Sequence, residues 1–214
     1  MRKGFIGIGV MGFPMAGHLS SNGFDVCIFN RSQEKASNWV TQFNGIMCNS
    51  PSDMASQCDI IILCVGKDED VKDVICGENG ILKSIKPGTI IIDHTTTSAT
   101  LAKDMNQILQ DKKAYFLDAP ISGGQAGAEE GKLSVMVGGD KQAFIKVKDI
   151  LGAYSKFVKY MGSSGSGQLT KMVNQICIGG LLQALAEGIN FSEKAGLNTE
   201  DVMEVITKGA AQSW

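Results

Sequence analysis

Short apolar runs alternate with helical patterns along the chain up to about residue 160. Several of the runs are apolar on both faces, which is typical of strands buried in a parallel sheet. The runs are KGFIGIG, FDVCIF, CDIIILCV, GTIIID, AYFLDAP, LSVMVGG and KFVKYMG. Because strand and helix patterns alternate, the fold class predicted is α/β with a doubly wound sheet.

The segments between these runs carry helix signals. Ser50 precedes Pro51, and Asp53 follows three residues after Ser50, which is typical of a capped helix start with proline in the first turn. Residues 98–110 and 140–151 place apolar side chains at helical spacing.

The pattern changes beyond Gly167. Residues 168 to about 195 contain no proline and no strand run, so they predict one helix of roughly 40 Å. Gly196 is placed to end this helix, and Asn198 is placed to cap another. We therefore expect two domains, residues 1–162 and an incomplete all-helical domain over residues 163–214.

Composition and charge exclude several classes of protein. The 214 residues are 43% hydrophobic and 20% charged, as in a soluble globular protein. The formal net charge is -2 without long blocks of one sign, so we expect no nucleic-acid or membrane partner. The basic, apolar N-terminus outlines a signal peptide but is interrupted by glycines and a proline, so we expect no secretion signal, and no segment approaches a membrane span.

The six cysteines are scattered, with no CxxC pair and no Cys/His cluster at metal spacing. We interpret them as reduced core residues, which favours the cytoplasm or another reducing intracellular compartment. No metal site is expected.

A glycine pattern follows the first strand run directly. GIGVMG places Gly7, Gly9 and Gly12 in the spacing GxGxxG, with Val10 and Met11 between them. In a strand-turn-helix context these glycines allow a tight turn, the approach of a pyrophosphate and close helix packing, respectively. The context predicts a Rossmann-type dinucleotide site with the phosphates at the helix N-terminus.

The second strand run ends in Asn30, Arg31 and Ser32, where an acidic residue commonly binds the adenosine ribose. A guanidinium and a hydroxyl would instead bind a 2′-phosphate. We therefore expect NADP(H) rather than NAD(H). A solvated loop cation is the alternative for Arg31.

Two further segments end at the sheet edge where such folds bind ligands. Val65 and Gly66 follow the CDIIILC run, and Thr96 follows the TIIID run, so we expect all three to contact the cofactor. The acidic residues 68–70 are interpreted as the first turn of a helix rather than as catalytic carboxylates.

Three stretches of the chain form a recognisable set: GIGVMGFPMAGHL, DAPISGGQAGAEEGKLSVMVGG and GSGQLTKMVNQ. Together they resemble the β-hydroxyacid dehydrogenases, the family of 3-hydroxyisobutyrate dehydrogenase, and most of all its NADPH-dependent glyoxylate/succinic semialdehyde reductases. Members of the family continue into a larger helical domain. The resemblance therefore implies that this chain is truncated at the C-terminus relative to them.

The resemblance also assigns site residues. It implies that Ser122, Gly123 and Gly124 bind the substrate carboxylate, and a glycine pair after a strand does expose backbone NH groups to an anion. It implies that Lys171 is catalytic and that Asn174 orients the substrate. An ammonium can stabilise the charge that builds on a reduced carbonyl and deliver a proton to it.

Neither histidine competes well for that role. We interpret His18 as a packed or capping residue and keep His94 as a minor alternative base.

The predicted function is NADPH-dependent reduction of a small aldehyde acid, of the glyoxylate or succinic semialdehyde type, to the hydroxyacid. One alternative is a 3-hydroxyisobutyrate or tartronate semialdehyde oxidoreductase, and another is a non-catalytic NADPH-binding module. The expected partner is a small carboxylate-bearing aldehyde or hydroxyacid. We also expect a homo-oligomer, because the long helix carries more apolar surface than one short helix can cover; its apolar residues are Ile176, Ile178, Leu181, Leu182 and Leu185.

Overall fold

The computed structural model describes residues 2–212. The chain divides into two compact units, residues 1–171 and residues 172–214. This division falls within the long C-terminal helix, later than the boundary after residue 162 that the sequence pattern suggests.

The first unit is built on one nine-stranded sheet. Its strands are β1 (Lys3–Ile6), β2 (Val26–Phe29), β3 (Ile46–Met47), β4 (Ile60–Leu63), β5 (Ile90–Asp93), β6 (Tyr115–Asp118), β7 (Ile121–Ser122), β8 (Leu133–Gly139) and β9 (Ser155–Gly162). The order is β3-β2-β1-β4-β5-β6-β8-β7, and β9 pairs with β8. Neighbours from β3 to β6 are parallel, whereas β8 runs antiparallel to β6 and β7 and parallel to β9.

Helices separate most of these strands. Those of the first unit are α1 (Gly12–Ser21), α2 (Gln33–Gln42), α3 (Pro51–Gln57), α4 (Asp68–Cys76), α5 (Ala99–Asp111), α6 (Gly124–Glu129) and α7 (Lys141–Gly152), with a 3-10 turn at Ile81–Lys83. Helix α8 (Ser166–Lys194) begins in the first unit and continues into the second, which also holds α9 (Thr199–Ile206).

The central strands are apolar on both faces because helices cover both sides of the sheet. Every residue of β1, β4 and β5 is buried. One core cluster includes Phe5 and Trp39, and the other includes Met54 and Ile61. The predicted doubly wound α/β fold is confirmed.

The predicted helix ends also agree with the structure. The Ser50 hydroxyl accepts a hydrogen bond from the Asp53 amide at 3.0 Å. Asn198 Oδ1 accepts from the Glu200 amide at 2.9 Å. Gly196, at φ +71°, follows the end of α8, where a left-handed residue is favourable.

Two expectations need correction. Cys27, Cys48 and Cys58 are buried as predicted, but Cys76 and Cys177 are exposed, so the six cysteines, all free, are not all core residues. Helix α8 is also long and apolar enough to cross a membrane by length and composition, with a mean hydropathy of 1.2 over its most apolar window. One such helix is weak evidence for a span, since the core helix of a soluble protein has the same properties.

Candidate active site

The glycine-rich loop has the geometry that a bound pyrophosphate requires. Gly7 adopts φ +98°, and a Cβ there would overlap the carbonyl oxygen of Cys64. A Cβ on Gly12 would overlap the carbonyl oxygen of Gly7, so α1 can pack this closely only without a side chain. A Cβ on Gly9 would meet no atom within 4 Å. The loop is thus open at the glycine where the phosphates are expected and closed at the other two, which fits a dinucleotide.

A cleft of about 530 Å³ opens at the carboxyl ends of β1, β2 and β4. Its wall contains six of the residues predicted to bind the cofactor: Gly7, Gly9, Asn30, Arg31, Val65 and Gly66. Val10 is exposed in the glycine-rich loop, and Met11 follows it, half-buried. Ser32 is exposed at the N-cap position of α2, and its side chain makes no capping hydrogen bond there.

Asn30 braces the glycine-rich loop. Its Oδ1 accepts a hydrogen bond from the Ile8 amide at 3.0 Å, and its Nδ2 donates to the Ser32 carbonyl at 3.0 Å. The Asn30 side chain therefore stabilises the conformation of the glycine-rich loop.

Arg31 forms an ion pair that the sequence pattern did not indicate. Arg31 Nη1 lies 3.1 Å from Oδ1 of Asp70, in the first turn of α4. The Arg31 side chain is 81% exposed and that of Asp70 is 19% exposed. The Oδ2 atom of Asp70 would lie only 2.6 Å from a Cβ on Gly66, so this carboxylate stands at the wall of the same cleft.

The end of β5 and the residues that follow it include buried titratable groups. Thr95 Oγ1 accepts from the Val65 amide at 3.1 Å, whereas the predicted contact residue Thr96 is exposed. Burial raises the pKa of Asp93 to about 7, and hydrogen bonds from Thr95 oppose this shift. Oδ1 of Asp93 accepts from the Thr95 amide, and its Oδ2 has no hydrogen-bond partner within residues 2–212.

His94 is held as a structural residue. Its Nδ1–H donates to the Ala119 carbonyl at 2.6 Å, and its Nε2 accepts from the Tyr154 hydroxyl at 2.8 Å. Burial lowers the pKa of His94 to about 4. With both ring nitrogens engaged and only 2% of the residue exposed, His94 is poorly placed to act as a base.

His18 has the capping role predicted for it. Its Nε2–H donates to the carbonyl oxygens of Ala128 at 3.1 Å and Glu129 at 3.0 Å, at the end of α6.

The predicted carboxylate-binding loop joins β7 to α6. Gly123 and Gly124 adopt φ +136° and +62°, so both occupy backbone conformations that favour glycine. Both are exposed, and Ser122 is half-buried at the end of β7. The loop therefore presents main-chain groups to solvent rather than side chains.

Lys171 lies beside this loop. Its Nζ donates to the carbonyl oxygen of Ile121 at 2.8 Å, directly before Ser122 in the chain. The residue is half-buried, and this burial lowers the pKa of its amine. The structure thus brings together Lys171 and the predicted carboxylate loop within the first unit.

Asn174 belongs to the second unit. Its Nδ2 donates to Oε1 of the adjacent Gln175 at 2.9 Å. Its role toward a substrate stays a prediction.

Two buried polar residues near Lys171 have no counterpart among the residues that sequence analysis selected. Asp118 and Gln168 are both 0% exposed and hydrogen-bond at the start of α8. The one available signal was their polarity, an acidic residue ending an apolar strand run and an amide entering an apolar helix. No group of His, Cys, Asp and Glu within residues 2–212 has the arrangement of a metal site.

Two protein families match this chain. The family described as the NAD-binding domain of 6-phosphogluconate dehydrogenase matches residues 2–162. The family described as NAD-binding of NADP-dependent 3-hydroxyisobutyrate dehydrogenase matches residues 165–214.

Relatives match over nearly the whole chain. An uncharacterized oxidoreductase of Shewanella frigidimarina is 52% identical over 98% of this chain and 72% of its own length. The probable 3-hydroxyisobutyrate dehydrogenase-like 2 of Arabidopsis thaliana is 37% identical over 99% of this chain and 70% of its own length.

A solved structure shares the fold. The 3-hydroxyisobutyrate dehydrogenase of Mycobacterium tuberculosis, in a structure with L-serine, superposes with a TM-score of 0.89 at 29% identity, covering 100% of this chain and 72% of that one. From the family matches, the relatives and the dinucleotide fold, we conclude that this chain belongs to the β-hydroxyacid dehydrogenase family of NAD(P)-dependent oxidoreductases.

Proposed function

We propose that the protein uses NADPH to reduce a small aldehyde acid to the hydroxyacid, with Lys171 as the proton donor. The observation that carries this proposal is the contact of 2.8 Å between Lys171 Nζ and the Ile121 carbonyl, which holds an amine beside the Ser122–Gly124 loop. A cation next to exposed loop backbone is suited to a substrate with both a carbonyl and a carboxylate.

The proton step follows from the state of Lys171. A bound nicotinamide supplies the hydride for reduction and accepts it in oxidation. As the carbonyl oxygen becomes negative, the Lys171 ammonium stabilises it and transfers a proton to it. Because burial lowers the pKa of Lys171, the ammonium gives up its proton more readily in reduction, and a larger fraction of the amine is neutral and available as a base in oxidation.

The carboxylate of the substrate would bind at the Ser122–Gly124 loop. Gly123 and Gly124 are exposed residues without side chains, so their main-chain NH groups, together with the Ser122 hydroxyl, would be donors suited to an anion. By holding the carboxylate, these donors would fix the position of the reacting carbonyl relative to Lys171.

The preference for NADP(H) would rest on Arg31. Its guanidinium lies at the mouth of the cleft and is 81% exposed, so it can turn toward a 2′-phosphate. Asp70 opposes this preference, because it pairs with the same guanidinium and places a negative charge nearby.

Two substrate classes are carried forward. The glyoxylate or succinic semialdehyde type follows from the motif pattern of the sequence. The 3-hydroxyisobutyrate type is favoured by the family match over residues 165–214 and by the name of the Arabidopsis relative. That family is described as NADP-dependent, so cofactor preference alone does not separate the two classes.

The test measures steady-state rates with NADPH and NADH over glyoxylate, succinic semialdehyde, tartronate semialdehyde and, in the oxidative direction, 3-hydroxyisobutyrate. Lys171→Ala should lower kcat roughly 100- to 10,000-fold and leave the Kd for NADPH unchanged. Lys148→Ala, at an exposed position of α7, is the matched control and should behave as the wild type.

Each other outcome has a definite meaning. Wild-type kcat in Lys171→Ala would refute the role of the lysine. NADPH binding without turnover of any of these substrates would refute the catalytic proposal and favour the non-catalytic module.

Association with further copies is proposed from the second unit. Ile176 is 73% exposed and Leu182 is 56% exposed in the single chain, and such apolar surface favours a homo-oligomer. A monomer mass by light scattering would contradict this. The six free cysteines favour a reducing intracellular compartment, which localisation of a tagged chain would test.

A further inference from the structure

Asp118 binds the N-terminal turn of α8 from the end of β6. Its Oδ1 accepts a hydrogen bond from the Gly165 amide at 2.8 Å, and its Oδ2 accepts from the Gln168 amide at 3.0 Å. A helix N-terminus has free NH groups and a positive dipole end, so a carboxylate there is stabilising. Burial nevertheless raises the pKa of Asp118, while the amides of Gly165 and Gln168 oppose that rise. A carboxyl group whose burial disfavours its charged form therefore lies at the start of α8, the helix that contains Lys171.

Two glycines make this approach possible. A Cβ on Gly138 would lie 2.6 Å from Asp118 Oδ1 and 2.8 Å from the Gly167 amide nitrogen. A Cβ on Gly167 would overlap the carbonyl oxygens of Asp118 and Met136. Strand β8 and helix α8 thus enclose the carboxylate, and no larger residue fits at either glycine.

Gln168 extends the attachment to the cofactor side of the sheet. Its Nε2 donates to the Thr95 carbonyl at 2.7 Å, and its Oε1 accepts from the Thr97 amide at 3.1 Å. Thr95 Oγ1 in turn accepts from the amide of Val65, which lines the dinucleotide cleft. A continuous set of hydrogen bonds therefore joins the cleft wall to the first turn of α8.

Both the main chain and the amine of Lys171 are held close to Asp118 and Gln168. Its main chain lies one turn after Gln168 in α8, and its amine contacts the carbonyl of Ile121, three residues after Asp118. Any shift of the first turn of α8 would move the amine relative to the Ser122–Gly124 loop.

We propose that Asp118 and Gln168 are positioning residues, which hold the Lys171 amine at the carboxylate loop and in register with the cofactor cleft. This inference rests on the proposed function of Lys171. Neither residue is a proton donor here, because both Asp118 oxygens and both carboxamide atoms of Gln168 are occupied by main-chain groups.

The test uses Asp118→Asn and Gln168→Met, which keep side-chain size and remove hydrogen bonds. Asp140→Asn is the matched control, since Asp140 caps a different helix, α7, through the Ala143 amide at 2.7 Å. Lysine amines are labelled by reductive methylation with ¹³C-formaldehyde, Lys171→Arg identifies the Lys171 signal, and NMR follows that signal with pH. The kcat of each variant and its Kd for NADPH are measured alongside.

In both test variants the pKa of Lys171 should rise toward the ordinary lysine value, because a loosened helix exposes the amine to water. The kcat should fall roughly 10- to 100-fold, as expected for a misplaced catalytic group. Asp118→Asn should leave the Kd for NADPH unchanged. Asp140→Asn should match the wild type in the pKa of Lys171 and in kcat.

An unchanged pKa of Lys171 in both variants would overturn the positioning role. This holds even if kcat falls, because kcat also falls when less of the protein is folded. If Asp118→Asn does not fold, Gln168→Met decides. The proposed function fails separately, when Lys171→Ala keeps its activity, and the NMR titration still reports on Asp118 and Gln168 in that case.

Discussion

Replacement of Arg31 by alanine is the sharpest test of the cofactor site. The guanidinium is predicted to bind the 2′-phosphate that distinguishes NADPH from NADH. In the structure it is 81% exposed and pairs with Asp70 at 3.1 Å. Binding of a phosphate to Arg31 must therefore replace this ion pair.

The size of the effect follows from these two interactions. A hydrogen bond between charged groups contributes about 2 kcal/mol, and an exposed ion pair such as Arg31–Asp70 contributes about 0.5 kcal/mol. The difference of about 1.5 kcal/mol corresponds to a roughly tenfold weaker Kd for NADPH in Arg31→Ala. The Kd for NADH should be unchanged, since NADH carries no 2′-phosphate.

Asp70→Asn provides the opposite perturbation in the same cleft. It frees Arg31 and removes a negative charge, so NADPH should bind more tightly while NADH stays unaffected. Fluorescence titration of both nucleotides at two salt concentrations measures these changes, and the NADPH effects should shrink at high salt. Equal losses for NADPH and NADH in Arg31→Ala, or weaker NADPH binding in Asp70→Asn, would refute the assignment of Arg31 to the 2′-phosphate.

Three further predictions concern the glycine-rich loop, Asp93 at the end of β5, and the hydrogen bond between His94 and Tyr154. Gly9→Ala should abolish dinucleotide binding but leave Tm unchanged, because its Cβ meets no protein atom within 4 Å. Gly12→Ala should lower Tm, because its Cβ would overlap a carbonyl oxygen, and equal losses of Tm in the two variants would contradict this. The pKa of Asp93 is raised from 3.8 to about 7, so the native state keeps a proton that the unfolded chain loses, and stability falls as pH rises through that range. Asp93→Asn should remove this pH dependence, so that its free energy of unfolding exceeds that of the wild type by up to about 4 kcal/mol at pH 8. If urea denaturation shows the same pH dependence of stability in both proteins, the prediction is wrong. Tyr154→Phe should lower the free energy of unfolding by about 1–3 kcal/mol, because a buried His94 nitrogen loses its donor, and an unchanged Tm would show that the bond contributes little.

The central strands could be predicted because they are continuous apolar runs, a pattern typical of strands buried on both faces. β4 and β5 each begin with three isoleucines, and such apolar runs are typical of strands covered by helices on both faces. β3 and β7 are two residues long, too short for any alternation to show, and β3 is exposed. The antiparallel direction of β8 against β6 was also beyond the pattern, because direction is set by long-range pairing rather than by local apolar runs.

The cofactor cleft was predictable for the same kind of local reason. Gly7, Gly9, Asn30 and Arg31 line the cleft, and all four lie in the first residues after β1 or β2. Asp70 was assigned only to a helix start, which is correct, but its pairing with Arg31 joins segments that are far apart in sequence. Sequence spacing carries no information on such a contact.

Gly165 and Gly167, which precede Lys171, have a packing role that the sequence pattern alone did not indicate. The GSG residues directly precede the helix that the sequence pattern predicts from residue 168, and Gly165 adopts φ +91° there. The packing adds a second reason, because Gly167 must be small to pass the carbonyl oxygens of Asp118 and Met136. The small residue at position 167 is therefore required by main-chain groups of residues 118 and 136, which lie far from it in sequence. A substitution at Gly167 should therefore lower kcat, because a side chain there would displace α8 and with it Lys171, as Asp118→Asn is expected to do.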